Sequence, residues 1–563
     1  MTIRNLAYLL APTSVALIGA SPQPGSVGNK IASNLLAGSF KGDIMFVNPH
    51  HGEIDGRPCY QSIASLPHAP SLGIVATPAK SVPGVIAELG AKGARAAVVV
   101  TAGMHDYKQA MLDASEPFCL RILGPNAIGL LLPQLGLNAS FAHRDAPAGS
   151  VAFLSQSGAL LTTVIDWAAG HGIGFSHVVS LGDMADVDFG DLLDYFAGDT
   201  QSRAILLYME ALTDAPKFIS AARRAARVKP VIVVKSGRHE AGARAAHSHT
   251  GALAGSDAAY DAAFRRTGLL RVKTLPDLFA AAEVLARKPR LHGERLMILT
   301  NGGGAGVLAA DELQDNAGVF ATLSPDTIAK LDGVLPPAWS RANPVDIIGD
   351  AGPDRFDAAL TALLADKQSD AVLVIQCPTA LADPLENAKA VSAVIEQHRQ
   401  QEGLFSKPVM TCWLGDGAAQ PSRELFTQRS IATFETMSDA VTGFMQLVRY
   451  ARAQTELMQT PDAVLPVTPQ AEAEISALLR APLACGRKML TAVEAKAVLS
   501  AAGIPVAPTL IAPDADGVAA AARAILAKDA ACVVKILSHD ISHKSDVGGV
   551  RLGLESAEAA ELA

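Results

Sequence analysis

Three times along this chain a short apolar run ends in small residues and opens into a helical pattern, and that recurrence narrows the possible folds most. The first is Ser14-Val15-Ala16-Leu17-Ile18-Gly19-Ala20-Ser21, followed by the turn Pro22-Gln23-Pro24-Gly25-Ser26-Val27-Gly28 and a helix from Asn29. The second is Val151-Ala152-Phe153-Leu154-Ser155-Gln156-Ser157-Gly158-Ala159-Leu160, and the third is Leu296-Met297-Ile298-Leu299-Thr300-Asn301-Gly302-Gly303-Gly304-Ala305. A continuous apolar run bounded by turn residues reads as a strand buried on both faces, which places it in a parallel sheet covered by helices. Further runs at 44–49, 72–78, 96–103, 176–182, 204–210, 231–238 and 371–376 alternate with helical stretches. Hydrophobic residues make up 49% and aromatic residues only 5%, which suits Ala- and Gly-rich helices packed on such sheets rather than an all-β protein.

A chain of 563 residues divides into several domains, roughly four by ordinary domain size. The strand pattern predicts a nucleotide-type domain over 1–123, with Leu123-Gly124-Pro125-Asn126 as a junction, then α/β domains over 124–290 and 291–455. A connector at 456–482 carries Pro461, Pro466 and Pro469, and a different segment follows at 483–563. That last piece has a helix from Leu490, an extended stretch at Gly503-Ile504-Pro505-Val506 and a strand at Cys532-Val533-Val534-Lys535-Ile536.

Several classes are excluded. The net charge of −8 and the lack of a dense Lys/Arg run argue against a nucleic-acid partner. The six cysteines are scattered without C-x-x-C spacing, so neither a zinc site nor a disulfide framework is indicated, and a reducing cytoplasm is the simplest setting. Arg4 and Leu6-Ala7-Tyr8-Leu9-Leu10 faintly resemble a signal peptide, but Pro12 interrupts them, and no apolar run has the length of a membrane span. The first turn is not G-x-G-x-x-G, so a nicotinamide-dependent oxidoreductase is disfavoured.

The residues that carry chemistry sit at strand ends, where parallel α/β sheets bind ligands. His249, in Ala246-His247-Ser248-His249-Thr250-Gly251-Ala252-Leu253-Ala254-Gly255, reads as a nucleophile that carries a phosphoryl group. The plain alternative is a loop histidine that only hydrogen-bonds. Ser155, Ser157 and Gly158 would form an anion site with the free N–H groups of their helix start, or the serines simply cap that helix. Glu210, just beyond an apolar strand, can orient a histidine from a neighbouring loop or stand as a solvated strand end. Gly303 and Gly304 offer a second helix start, so that two N-termini could clasp one phosphoryl group. Lys535 lies within an apolar run, where a lysine costs free energy unless it meets an anion such as a nucleotide phosphate. His543 follows it, beside Lys544 and a glycine turn.

Taken in order, Val15 to Gly28, Leu154 to Leu160, Ser248 to Gly255, Thr300 to Gly306 and Val533 to Val550 resemble the NDP-forming acyl-CoA synthetases. These include the ADP-forming acetate-CoA ligases, relatives of succinyl-CoA synthetase. The resemblance implies a Rossmann-like CoA-binding domain, two flavodoxin-like succinyl-CoA-synthetase-type domains and the start of an ATP-grasp domain. It implies that Gly19, Ser21, Gly25, Ser26 and Val27 bind CoA, with Asn48, Pro49, Thr77 and Pro78 at neighbouring strand ends. It makes His249 the phosphorylated histidine, Glu210 its acidic partner, and Ser155, Ser157, Gly158, Gly303 and Gly304 the phosphate-binding helix starts. Lys535 becomes the nucleotide-binding lysine, and His543 a second histidine that relays phosphate.

The implied reaction forms acyl-CoA from a small carboxylic acid, CoA and ATP, giving ADP and phosphate through phosphohistidine and acyl phosphate. CoA, ATP and Mg2+ are the implied cofactors, with no metal ligand identified. Acids from acetate to branched, aryl and hydroxycinnamate acids fall within the resemblance, and one or two pocket residues would select among them. Family members contain a complete ATP-grasp domain. Here only its first part is present, which reads as a fragment, as a site completed by a partner subunit, or as lost nucleotide binding. A homo-oligomer is the other assembly that the resemblance implies. The competing reading is a CoA-responsive binding or regulatory protein of the same fold without complete turnover.

Overall fold

The four apolar residues after Ser14 leave no polar face, and in the computed structural model all of Ser14–Ile18 is buried. The structure describes residues 3–170, 172–242, 244, 256–287, 290–459, 468–541 and 543–563. These fall into two units, Met1–Gln459 and Thr460–Ala563. The first unit holds three sheets built from the predicted runs, so the expected α/β class is borne out.

The first sheet comprises β1 (Ser14–Ile18), β2 (Asp43–Val47), β3 (Glu53–Ile54), β4 (Arg57–Tyr60), β5 (Leu72–Val75), β6 (Ala96–Val99) and β7 (Arg121–Leu123), in the order β3-β4-β2-β1-β5-β6-β7. All its pairings are parallel except the short β3/β4 hairpin. The second comprises β8 (Gly129–Leu132), β9 (Leu137–Ser140), β10 (Ala148–Ser155), β11 (Phe175–Ser180), β12 (Ala204–Met209), β13 (Val231–Lys235) and β14 (Leu270–Val272), in the order β14-β13-β12-β10-β11-β8-β9. The third comprises β15 (Arg295–Thr300), β16 (Val319–Phe320), β17 (Val345–Asp346), β18 (Ala371–Gln376), β19 (Val409–Trp413) and β20 (Ala432–Phe434), all parallel, with β15 and β18 adjacent.

Two features go beyond the sequence reading. After the junction at Leu123 to Asn126, the chain forms the antiparallel hairpin β8/β9, which extends the second sheet on the side of β11. It also receives the first domain: Asn34, on the helix Val27–Ala37, donates from its side-chain amide to the carbonyls of Ser140 (2.8 Å) and Ala142 (2.9 Å). The expected connector is largely helical, since Thr468 caps a helix at Pro469–Ala484. Proline at a first helical position costs no hydrogen bond, so Pro469 starts a helix instead of marking a linker.

A partly buried charge cluster joins the first two sheets. Arg121 at the start of β7 reaches Asp186 (2.9 Å) and Asp191 (3.1 Å), and Lys217 reaches Asp188 (2.9 Å) and Asp191 (2.8 Å). Asp188 and Asp191 also form the capping box of the helix Phe189–Gly198. Burial pushes the Asp191 carboxyl upward, against the pull of Lys217 and Arg121. Between the second and third sheets the apolar core is continuous, and Trp167 stacks on Phe279 with ring centroids 3.5 Å apart.

The second unit pairs β21 (Cys532–Lys535) antiparallel with β22 (Val550–Leu554) over a small cluster of Ala522, Cys532, Ala557 and Ala560. In it Arg487 holds the Glu494 carboxyl down at about 2.

Two stability predictions follow from the first unit. Replacing Arg121 by Met leaves Asp186 without its cation and Asp191 with Lys217 alone, and should lower unfolding free energy by about 3 kcal/mol, whereas Asp186→Asn on top of it should recover part of the loss, measured by denaturant titration. His177 on β11 is 5% exposed, and burial holds its ring below the ordinary histidine range against the pull of Asp199 and the Leu10 carbonyl. Because the folded-state value is depressed, its contribution is complete above the unfolded value of about 6.5 and is lost as pH falls. The unfolding free energy should therefore drop more for wild type than for His177→Leu between about pH 8 and about pH 5, by at most about 1.4 kcal/mol per pH unit.

Candidate active site

At the carboxyl edge of the first sheet the chain is held too close for side chains. Gly19 has φ +93°, and a Cβ there would lie 2.5 Å from the Ala76 carbonyl oxygen; one at Gly28 would lie 2.1 Å from the Gly19 carbonyl oxygen. The helix Val27–Ala37 thus starts directly on the strand end, leaving bare backbone N–H groups of the kind that receive a phosphate. Ser26 caps it by accepting from Asn29 N (3.2 Å), Ser21 Oγ accepts from Gln23 N (3.1 Å), and Gly25 takes φ +80° between them. Asn48 Nδ2 donates to Ala20 O (2.7 Å), with Pro49 next to it, and Thr101 Oγ1 donates to Thr77 O (2.7 Å), with Pro78 following. The CoA positions expected from sequence, Gly19 to Val27, Asn48 and Pro49, Thr77 and Pro78, therefore collect at the ends of three adjacent strands, β2, β1 and β5.

At the second sheet, Ser155 is fully buried and its hydroxyl donates to Ser157 O (2.7 Å) while accepting from Ser157 N (3.2 Å). Ser157 Oγ in turn accepts from Leu160 N (3.4 Å). The two hydroxyls shape and cap the turn. Gly158 opens the helix Gly158–Gly170, and a Cβ there would meet Ile128 at 2.6 Å. Between the serines, Gln156 Oε1 accepts from the backbone N–H of Glu210 (2.8 Å) and of Ala211 (3.0 Å). Glu210 is 8% exposed at the end of β12, so it is not a solvated strand end.

A cavity of about 480 Å3 connects these two edges, lined by Val27 and Thr77 from the first sheet and by Gln156, Ser157 and Gly158 from the second. Asn126, Ile128 and Phe141 complete it from the junction and the hairpin. Sequence reading missed these three and Gln156. The available signal was the repeat itself, since Ser-Gln-Ser-Gly at 155–158 matches Thr-Asn-Gly-Gly at 300–303. It also missed Lys235, a buried lysine at the end of β13 whose ammonium lies 4.6 Å from the Tyr260 ring centre and is pushed down by burial.

The third sheet repeats the arrangement. Thr300 Oγ1 donates to Gly302 O (3.2 Å) and accepts from Gly302 N (3.0 Å), and Asn301 Oδ1 accepts from Cys377 N (2.7 Å) just after β18. Gly303 and Gly304 open the helix Gly303–Asp315 beside Asp346, which a Cβ on Gly303 would meet at 2.7 Å. They lie at this strand end and not in the cavity that Ser157 and Gly158 line.

His249 and its loop, Ser248 to Gly255, lie outside the described residues. In the second unit Lys535 and His543 are both exposed. The expectation of a costly buried lysine fails because β21 has a single partner strand, and its alternate residues Val533 and Lys535 face outward. Among the described residues no group of three or more His, Cys, Asp or Glu could hold a metal ion, and no helix is long and apolar enough to cross a membrane.

Four families match in succession: a CoA binding domain over residues 13–133, a succinyl-CoA ligase like flavodoxin domain over 148–285, a ligase-CoA domain over 296–458 and an ATP-grasp domain over 481–563. The acetate–CoA ligase [ADP-forming] I of Archaeoglobus fulgidus is 38% identical over 553 residues, 97% of this chain and 77% of that protein. The acetate–CoA ligase [ADP-forming] I subunit alpha of Pyrococcus furiosus is 35% identical, covering 80% of this chain and 98% of that subunit. Among solved structures, the dinucleotide forming acetyl-coenzyme A synthetase 1 of Ca. Korarchaeum cryptofilum, in complex with phosphate and ADP, superposes with a TM-score of 0.76 at 36% identity, covering 82% of this chain and 99% of that one. This chain belongs to the NDP-forming acyl-CoA synthetase family, with the ADP-forming acetate-CoA ligases among its members.

Proposed function

We propose that this chain is an acid–thiol ligase, which joins a carboxylic acid to CoA with conversion of ATP to ADP and phosphate. The observation that carries this reading is the shared cavity. It runs from the bare strand ends of the first sheet to the helix start at Gly158, whose turn is hydrogen-bonded to the backbone of Glu210 through Gln156. A thiol delivered along the first edge would meet an acyl group held at the second.

In this reading CoA lies along Gly19, Ser21, Gly25, Ser26 and Val27, with Asn48, Pro49, Thr77 and Pro78 beside it. The close backbone approach at Gly19 and Gly28 fits a phosphate-bearing ligand, because a side chain at either position would push the helix start off the strand ends whose N–H groups would hold it. His249 takes the phosphoryl group from ATP and passes it to the carboxylate, and the acyl phosphate is then an electrophile for the thiol. Imidazole suits this relay because much of it is unprotonated near neutral pH. Glu210, desolvated at its strand end, orients and balances the charge of that ring. The helix starts at Ser157 and Gly158 and at Gly303 and Gly304 supply N–H donors to phosphoryl oxygens, the main task in such transfers. Ser155 contributes through the shape of the turn.

Nucleotide entry is assigned to the ATP-grasp segment, where Lys535 would contact phosphate and His543 would relay it. Mg2+ is expected with the nucleotide and is assigned no protein ligand. Relatives occur both as long single chains and as separate alpha subunits, which supports either a partner subunit or a longer chain as the complement of this segment, in a homo-oligomer or a mixed assembly. All six cysteines are free thiols, which supports a cytoplasmic setting. A CoA-responsive regulator without turnover is not favoured, since the four matching families run in ligase order.

Incubation with radiolabelled ATP and Mg2+ should give acid-labile, base-stable protein label that His249→Asn abolishes. Glu210→Gln should retain CoA binding while slowing phosphoryl transfer by about 100-fold or more, measured by rapid quench. Label that persists in His249→Asn but disappears in His543→Asn would move the primary carrier to the second unit.

A further inference from the structure

Gln156 occupies an unusual position for an uncharged side chain. Its amide oxygen accepts two backbone N–H groups, from Glu210 and Ala211, while the backbone N–H of Gln156 donates to Tyr208 O (3.1 Å). Two fixed donors facing one end of a carboxamide settle which end is oxygen. The NH2 group therefore points away from the β12 end, and among the described residues nothing accepts from it. The same residue lines the cavity. The corresponding amide at the third sheet, Asn301, accepts from Cys377 N, but its NH2 is consumed by the Cys377 carbonyl at 3.0 Å. The clamp is thus common to both repeats, and the uncommitted donor is particular to Gln156.

We propose that Gln156 is the carboxylate-contacting residue of an acid subsite in this cavity. Its NH2 donates to the carboxylate of the acid, while its oxygen ties the bound acid to the backbone of Glu210. This inference rests on the ligase reading and names the place and the donor for its acid. The rest of the wall argues for the kind of acid. Ala127, Ile128, Phe141 and Val100 supply an apolar surface, and among the described residues no Lys, Arg, His, Asp or Glu lines the cavity. A second carboxylate would lose its hydration there without a cation to replace it, so the subsite suits monocarboxylic acids with an apolar body. The bound acid and the phosphohistidine partner then share one rigid element, since any displacement of Gln156 shifts the first two backbone groups after β12.

The clamp and the donor can be separated by substitution. In Gln156→Glu a carboxylate oxygen still accepts from both N–H groups, so the turn is kept, but the donor is lost and a negative charge faces the acid. Gln156→Ala removes both. Binding of butyrate, benzoate and succinate to the full chain would be followed by calorimetry without ATP, alongside CoA binding. Turnover of the same acids with ATP and CoA would be measured in parallel. Wild type should bind butyrate and benzoate but not succinate. Gln156→Glu should keep CoA affinity and thermal midpoint while weakening both monocarboxylates by about 10-fold or more, the loss expected for one hydrogen bond to a charged group. In turnover the same variant should raise KM for the acid and leave KM for CoA unchanged. Acid affinity in Gln156→Glu equal to wild type, or succinate bound as tightly as butyrate, would overturn the proposal. So would a wild-type chain that binds none of the acids. Acid binding that depends on Gln156 in a chain without turnover would uphold the subsite and sink the ligase reading instead.

Discussion

The ion pairs between Arg121, Lys217 and the three carboxylates Asp186, Asp188 and Asp191 are the constraint on which the rest of the first unit depends. Asp188 and Asp191 are buried, and carboxylates so placed persist only with a partner, so the two domains that supply these charges cannot separate cheaply. Arg121 comes from the last strand of the first sheet. Of its partners in the second, Asp186 lies between β11 and the helix Phe189–Gly198, and Asp191 lies in the first turn of that helix. Thr213 extends the cluster by donating to Asp188 Oδ2 (2.9 Å), which carries it to within three residues of Glu210. The cavity lies between the same two sheets that this polar joint ties together.

On that frame the chemistry is a matter of strand ends. A parallel strand followed by a helix leaves unbonded N–H groups at its carboxyl edge, and phosphates and carboxylates are what such edges hold best. This chain uses the device three times. At Gly19 and Gly28 the backbone is stripped of side chains, whereas at Ser155 and Thr300 a hydroxyl closes the turn and an amide pins it to the neighbouring strand. The pinned amide is what makes Glu210 and the helix start at Gly158 move as one body. A reaction that passes a phosphoryl group and then an acyl group between neighbouring sites benefits from such rigidity, because misplacement of reacting atoms by an ångström is costly.

Much of this was legible in the residues. Unbroken apolar runs such as Val231–Val234 and Leu296–Leu299 report strands buried on both faces, and the small residues after them mark the edge where ligands sit. The α/β class and the family followed from those runs and the motifs between them. What was not legible depends on contacts distant in sequence. The hairpin β8/β9 has no strong periodicity of its own and exists because β11 offers it an edge. Gln156 gave no sign of its importance, since its role comes from Glu210 and Ala211, 54 and 55 residues away. Lys535 misled for the opposite reason: an apolar run in a two-stranded sheet is covered on one face only.

The most direct test of a ligase working through an acyl phosphate is the fate of the acid's own oxygen. The acid would be labelled with heavy oxygen in its carboxylate, turned over with ATP and CoA, and the products weighed by mass spectrometry. Formation of acyl phosphate transfers one carboxylate oxygen to phosphorus, so the label should appear in the inorganic phosphate released with each acyl-CoA. Label found in AMP would indicate an acyl adenylate, and acyl-CoA formed with unlabelled phosphate would contradict the acyl-phosphate route altogether.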